Sequence, residues 1–261
     1  TLFPISIFVG STIGAVGIGA LTIALPIQKL ITSTGLMMAV GTSTAVSRNL
    51  GGKKYKNLRK IILNSLILTS LILISLCVLI FLFRDGIIKN LLGSSETLFP
   101  YAYQYISIIL FGGTFQCLIL VIGYVIMALG DTKVTLKAMS IGATVNVILD
   151  AILVVHFSMG VKGAALATSF SQILAFSYAV FRFLKVKKEI NLEFKFIFER
   201  KIVKTIISVG FSTFIVEASD GLLSIVFNNL LSASGGDDAV VIIGTITKVS
   251  MFLFITVLDI S

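Results

Sequence analysis

Asn146 and Asp150 stand four residues apart inside the apolar run SIGATVNVILDAILVVHF, so on a helix their side chains share one face. A carboxylate and an amide oxygen held together away from water can ligate a hard cation or seat a proton, with hydroxyls or water completing the shell. Met139 and Ala143 continue that face and leave room beside the carboxylate. A charge at the centre of a membrane helix costs about 2.5–3.5 kcal/mol on insertion scales, so a carboxylate kept there marks an ion or proton path, or else pairs with a neighbouring helix for assembly. The first role is the expectation for Asp150.

Other polar residues sit at similar depth. Glu217, Asp220, Ser224 and Asn228 are spaced three, four and four, which draws one polar stripe along an otherwise apolar helix and predicts a face that lines water. The alternative is a helix near the bundle axis whose stripe meets loops. Lys29 and Lys248 each lie well inside an apolar stretch, where an ammonium neutralises a carboxylate or snorkels outward; structural pairing is expected for both. The run GVKGAALATSFSQ gathers Gly163, Ala164, Ala167, Thr168 and Ser171 into a small face suited to close helix packing, with Gln172 as its one side chain expected to meet a ligand. His156 reads as an interfacial histidine. A single histidine and the absence of CxxC or HExxH spacing leave no structural or catalytic metal motif, and no nucleophile–base pair for an intramembrane enzyme. A Na⁺ at Asp150 and Asn146 is the one metal ion the pattern allows.

The elements that must hold these residues are apolar helices. The chain of 261 residues is 56% hydrophobic and only 13% charged, and its mean hydropathy of +1.05 exceeds that of any ordinary soluble domain. Windows of about 20 apolar residues recur with flanking charge, which predicts an all-α, polytopic transmembrane helical bundle. A barrel would need alternating strands, and IILNSLILTSLILISLCVLIFLF does not alternate. Spans are expected at 1–13, 18–46, 60–83, 101–129, 134–157, 162–184, 202–232 and 239–261. Clusters such as GAVGIG, NLGGKK, LLGSSE, GDTK, FSMG and SASGGDD punctuate them.

The net charge of +9 sorts by loop. Arg48, Lys53, Lys54, Lys56, Arg59 and Lys60, then Lys133 and Lys137, then Arg182, Lys185, Lys187, Lys188, Lys195, Arg200, Lys201 and Lys204 fall in alternate connections, whereas the other loops hold only Arg84, Lys89 and Lys162. The positive-inside rule places the loops after the second, fourth and sixth spans in the cytoplasm, and topology accounts for the charge without nucleic acid. Cys77 and Cys117 lie in apolar runs and predict no disulfide.

The stretch VKKEINLEFKFIFERKIVK is too polar to span and predicts an interfacial linker over 185–201, between a first bundle at 1–184 and the start of a second at 202–261. A weak internal match, residues 20–35 against 239–254 with Lys29 opposite Lys248, fits transporters built from repeats. The chain opens without a methionine and ends in an apolar run, and it reads as part of a longer protein without a signal peptide.

Residues 127–172 carry Gly130-Asp131-Thr132-Lys133, Asn146, Leu149-Asp150, Gly160, Gly163-Ala164-Ala165 and Ala167-Thr168 in the order and spacing of one family. This stretch resembles the fourth-to-sixth-helix signature of the multidrug and toxic compound extrusion (MATE) family. FVGSTIGAVGIGALTIALPI, SRNLGGKK and SVGFSTFIVEASDG are similar to its turn from the first to the second helix, its basic loop and its seventh helix. The resemblance implies two six-helix lobes in a V, here an almost complete first lobe and the start of the second. It implies a multi-pass plasma-membrane antiporter that works as a monomer and exports organic, cationic or amphipathic compounds in exchange for Na⁺ or H⁺, without a cofactor. By the same resemblance Asp150, Asn146 and Glu217 are the cation-coupling residues. From their own placement in the sequence, Asp220, Ser224, Gln172, Lys29 and Lys248 are candidates to line the substrate cavity. Many members carry an aspartate on the first helix just before the FVG stretch, and Ile5 and Ser6 stand there in this chain. The alternatives are a lipid-linked oligosaccharide flippase of related architecture, which would want several deep arginines or lysines, and a non-transporting membrane scaffold.

Overall fold

The computed structural model describes residues 2–189 and 198–260, with side chains described for all of these except 2–4, 56, 189, 248 and 251–260. Among the described residues seven helices follow one another: α1 (Leu2–Ile13), α2 (Ala15–Gly51), α3 (Tyr55–Gly86), α4 (Phe99–Ala128), α5 (Lys133–Asp150), α6 (Gly160–Glu189) and α7 (Arg200–Ile260). Single π-helical stretches, Ile87–Leu91 and Ala151–His156, extend α3 and α5. No strand occurs among the described residues, and six of the helical stretches are long and apolar enough to cross a membrane.

Most helices outrun the apolar windows that mark them, because the backbone ladder continues past the last apolar residue into the polar boundary. α2, for instance, reaches Gly51. The breaks can be tighter than the turn clusters suggest. In place of a loop over 233–238, only Gly236 departs from helical geometry, at φ 62° and ψ −157°, and it divides α7 into segments 200–235 and 237–260. A residue with a Cβ would be strained in that conformation. Of the 185–201 linker, residues 190–197 lie outside the described residues, while 185–189 continue α6 and α7 begins at Arg200.

The chain turns its apolar surface outward as well as inward. Leu71, Ile74, Val78, Leu79, Phe81, Leu82 and Phe83 of α3 are exposed, as expected where lipid is the solvent. The interior forms two stacked apolar clusters. One gathers Ile5, Leu21, Ile23, Tyr105 and Ile106; the other gathers Met38, Ile62, Ile122, Val125 and Ala138. α2 and α4 run through both and are the most enclosed helices.

α2 and α7 meet along most of their length. A Cβ on Gly41 would collide with the Ile206 carbonyl, and one on Gly210 with the Met37 carbonyl, so here the two backbones touch. Lipid tails compete equally for apolar side chains, so helix association in a bilayer depends on such close approach of small residues.

Candidate functional site

Asp150 is the last α-helical residue of α5, and the next six residues form the π-helical turn. π-turns widen the helix and often accompany functional sites. The Asp150 side chain is fully buried at 0% exposure, and neither carboxylate oxygen has a hydrogen-bond partner among the described residues. One turn earlier, Asn146 is 1% exposed. Its Nδ2 donates to Thr168 Oγ1 of α6 at 3.3 Å, and that hydroxyl donates to the Ala164 carbonyl at 2.9 Å. The Asn146 amide therefore spends its donor on α6 and leaves Oδ1 without a partner.

Three acceptor oxygens, two from Asp150 and one from Asn146, are thus buried without a donor. Buried polar atoms are nearly always satisfied, and an excess of acceptors is relieved by a proton or by a cation. Among the described residues no cluster of three histidine, cysteine or acidic side chains gathers to hold a metal ion. The oxygen set suits H⁺ or a hard monovalent ion.

Thr168 connects this pair to a cavity of about 160 Å³ lined by residues of α1, α2, α4, α6 and α7. Gln28, Lys29, Tyr105, Gln116, Gln172 and Ser224 supply its polar surface, while Ile5 of α1 supplies apolar surface. Gln28 Nε2 donates to the buried Tyr105 hydroxyl at 3.0 Å. A second pocket of about 310 Å³ shares Gln116 and Gln172 with the first and is lined by Met139 and Ala143.

The other polar residues are distributed differently. Lys29 of α2 meets α7 through Asp220 at 3.2 Å and Glu217 at 3.9 Å. Glu217 is partly exposed and Asp220 exposed, and neither joins Asp150 and Asn146. Ser224 donates to the Asp220 carbonyl and lines the cavity, and Asn228 is buried against α2. The stripe on α7 therefore faces α2 for most of its length. The Lys248 side chain lies outside the described residues. His156 is exposed and makes an edge contact with Phe157.

Thr168, Tyr105 and Gln28 complete the polar surroundings. Thr168 and Gln172 are four apart on α6, a spacing that signals a shared face. Nothing local in the sequence pairs Thr168 with Asn146, 22 residues away, or Tyr105 with Gln28, 77 residues away.

A family model for MatE matches residues 2–152. The multidrug export protein MepA of Staphylococcus saprophyticus is 26% identical over 219 residues, covering 84% of this chain and 48% of that protein. MepA of Staphylococcus aureus gives the same identity and coverage. The chain spans about half the length of these curated relatives. Among solved structures, an inward-facing multidrug resistance MATE family transporter of the MOP superfamily superposes with a TM-score of 0.87 at 21% identity, over 96% of this chain and 57% of the other. At that identity the likeness is one of fold. The MATE multidrug transporter DinF-BH superposes with a TM-score of 0.84 at 25% identity, over 96% and 57%.

Proposed function

The chain belongs to the MatE family, and on that premise we propose that it forms the ion-coupling part of a secondary antiporter that exports organic, cationic or amphipathic compounds in exchange for Na⁺ or H⁺. The carrying observation is the set of three buried acceptor oxygens on Asp150 and Asn146, one hydroxyl away from the central cavity. A cation or proton there satisfies the acceptors; its departure leaves a buried charge unpaired. The two states of the site thus differ in energy, and that difference is what an ion needs in order to favour one conformation over another.

In this scheme the first lobe comprises residues 1–184, a linker follows at 185–201, and 202–261 opens the second lobe. The basic helix ends, after α2, α4 and α6, face the cytoplasm of a cell whose plasma membrane the protein spans as a monomer. Rocking of the lobes exposes the cavity alternately to the two sides, and ion and substrate compete through the states they prefer. Gln172 and Ser224 contact the substrate from the wall, and Asp150 with Asn146 holds the ion. Glu217 acts through Lys29, and a role for Lys248 in the cavity is part of the same proposal. No cofactor enters the scheme.

The cavity's electrostatics favour an organic cation over a lipid-linked diphosphate. Lys29 is the basic residue in the described lining, and it is already matched by Asp220 and Glu217. A diphosphate would need unmatched cations there.

The test is transport by the full-length protein in proteoliposomes under an imposed Na⁺ or H⁺ gradient. Asp150→Asn should insert normally and lose gradient-driven drug efflux. Undiminished efflux by that variant would sink the assignment, and the gradient that drives the unmutated protein identifies the ion.

A further inference from the structure

Another polar cavity, which shares no lining residue with the two described above, lies at the basic ends of α2, α3 and α7. It measures about 190 Å³ and is lined by Ala45, Arg48 and Asn49 from the end of α2, Asn57 and Ile61 from the start of α3, and Glu199, Lys201, Ile202 and Thr205 around the start of α7. Ala45 and Ile61 form a buried apolar floor, while Arg48, Lys201 and Thr205 stand exposed at the rim.

The pocket is held in shape by polar ties across the helix ends. Asn57 Nδ2 donates to Asn49 Oδ1 at 3.2 Å, and Asn49 Nδ2 donates to the Ala45 carbonyl at 2.9 Å. Lys60 pairs with Glu199, whose backbone N–H reaches Asn64 Oδ1 at 3.4 Å. That pairing matters for charge. It matches the one carboxylate of the lining with a lysine outside it, so Arg48 and Lys201 face the pocket with no carboxylate partner among the described residues. A guanidinium presents a planar fork of donors that fits two oxygens of a phosphate, and an ammonium adds a point charge.

The pocket opens at the ends of helices long and apolar enough to cross a membrane, between α2 and α3 on one side and α7 on the other. Basic pockets between the ends of membrane helices suit anionic lipid headgroups. We propose that it binds a phosphate group, presented by the headgroup of an anionic phospholipid, with Arg48 and Lys201 as its cations and the apolar floor beneath. A bound phosphate bridges α2 to α7 and so favours the arrangement in which these helix ends lie together. The proposal needs only the membrane-spanning fold, and stands apart from the coupling role of Asp150 and from the orientation of the chain.

The experiment titrates phosphatidylglycerol, phosphatidylcholine or inorganic phosphate into the purified full-length protein in neutral detergent. Lipid retention is read by native mass spectrometry and the melting temperature by thermal unfolding. Phosphatidylglycerol should be retained and should raise the melting temperature, phosphatidylcholine should do neither, and millimolar phosphate should displace the retained lipid. The double variant Arg48→Gln/Lys201→Gln should weaken retention by about thirtyfold, from the attraction of two basic residues. Lys185→Gln/Lys188→Gln, which removes two exposed charges elsewhere at the basic end, should leave retention unchanged. Equal loss in the two double variants, or equal retention of the two lipids, overturns the proposal. Stabilisation by inorganic phosphate with no retained lipid overturns the lipid as its source.

Discussion

Asn228 on α7 directs its side-chain amide at the Thr22 carbonyl of α2, 3.5 Å away. Pro26 explains why that carbonyl is open to it. Lying inside α2 four residues after Thr22, proline brings no N–H to close the usual helical bond. A carbonyl released by proline inside a membrane must find another donor, and Asn228, 2% exposed, provides it from the neighbouring helix. Asn228→Ala should therefore lower stability by about 1 kcal/mol, the scale of interhelical hydrogen bonds in membranes. In a Pro26→Ala background the same change should cost less, because residue 26 would then donate to Thr22 itself. Thermal unfolding of the four proteins in a double-mutant cycle measures the difference.

Lys29 faces two carboxylates on α7 at a partly exposed position. Exposed pairs contribute little to stability, so Lys29→Met should cost under about 1 kcal/mol. The larger effect should fall on transport, because a cavity wall that loses its ammonium keeps Asp220 and Glu217 as unmatched negative charge. Apparent affinity for a cationic drug should rise, and release should slow. Drug binding and efflux measured side by side on Lys29→Met and Lys29→Met/Asp220→Asn check this, and the second variant should move back toward the original behaviour.

Ile5 is 1% exposed and lines the same cavity as Thr168 and Tyr105. An aspartate in its place would bring a carboxylate to the cavity lined by Thr168, whose hydroxyl accepts from Asn146. Ile5→Asp should destabilise the protein in the absence of Na⁺, at a cost of up to about 2.5–3.5 kcal/mol for a buried carboxylate. It should also make thermal stability depend on Na⁺ more steeply than in the unmutated protein. A melting temperature insensitive to Na⁺ in this variant would argue that Ile5 does not border the ion path.

Asp131 and Arg182 join the α4–α5 connection to the end of α6. Arg182 Nη2 donates to Asp131 Oδ2 at 2.7 Å, and the Lys133 N–H caps the other carboxylate oxygen at 3.2 Å. The guanidinium hydrogen bond, with help from the Lys133 N–H, holds the Asp131 carboxyl below its ordinary value. A carboxyl depressed in the folded state adds stability that is fully present above the ordinary carboxylate range and is lost as pH falls through its lowered value. Asp131→Asn should therefore melt below the unmutated protein at neutral pH, and the gap should close only at strongly acidic pH. Unfolding curves collected from neutral to acidic pH in detergent reveal whether it does.

The amino-acid sequence by itself determined that the chain is a bundle of apolar helices. Hydrophobic run length and the choice between helical and alternating patterns follow from local geometry and from the need to satisfy backbone groups in lipid. It also determined that Asn146 and Asp150 share a face, because a spacing of four is fixed by the helix itself. The tertiary structure decided what each polar residue meets. Glu217, Asp220, Ser224 and Asn228 form one stripe in the sequence, yet Glu217, Asp220 and Asn228 meet α2, through Lys29 and the Thr22 carbonyl, Ser224 lines the cavity, and Asn146 bonds Thr168 of α6. The SASGGDD cluster marked the break that falls at Gly236, though not its narrowing to one residue, while the π-turn after Asp150 was illegible because Ala151–His156 has no mark of its own. Partners separated by 22 to 206 residues are chosen by how whole helices dock, which depends on contacts such as Gly41 on Ile206 that no local pattern encodes.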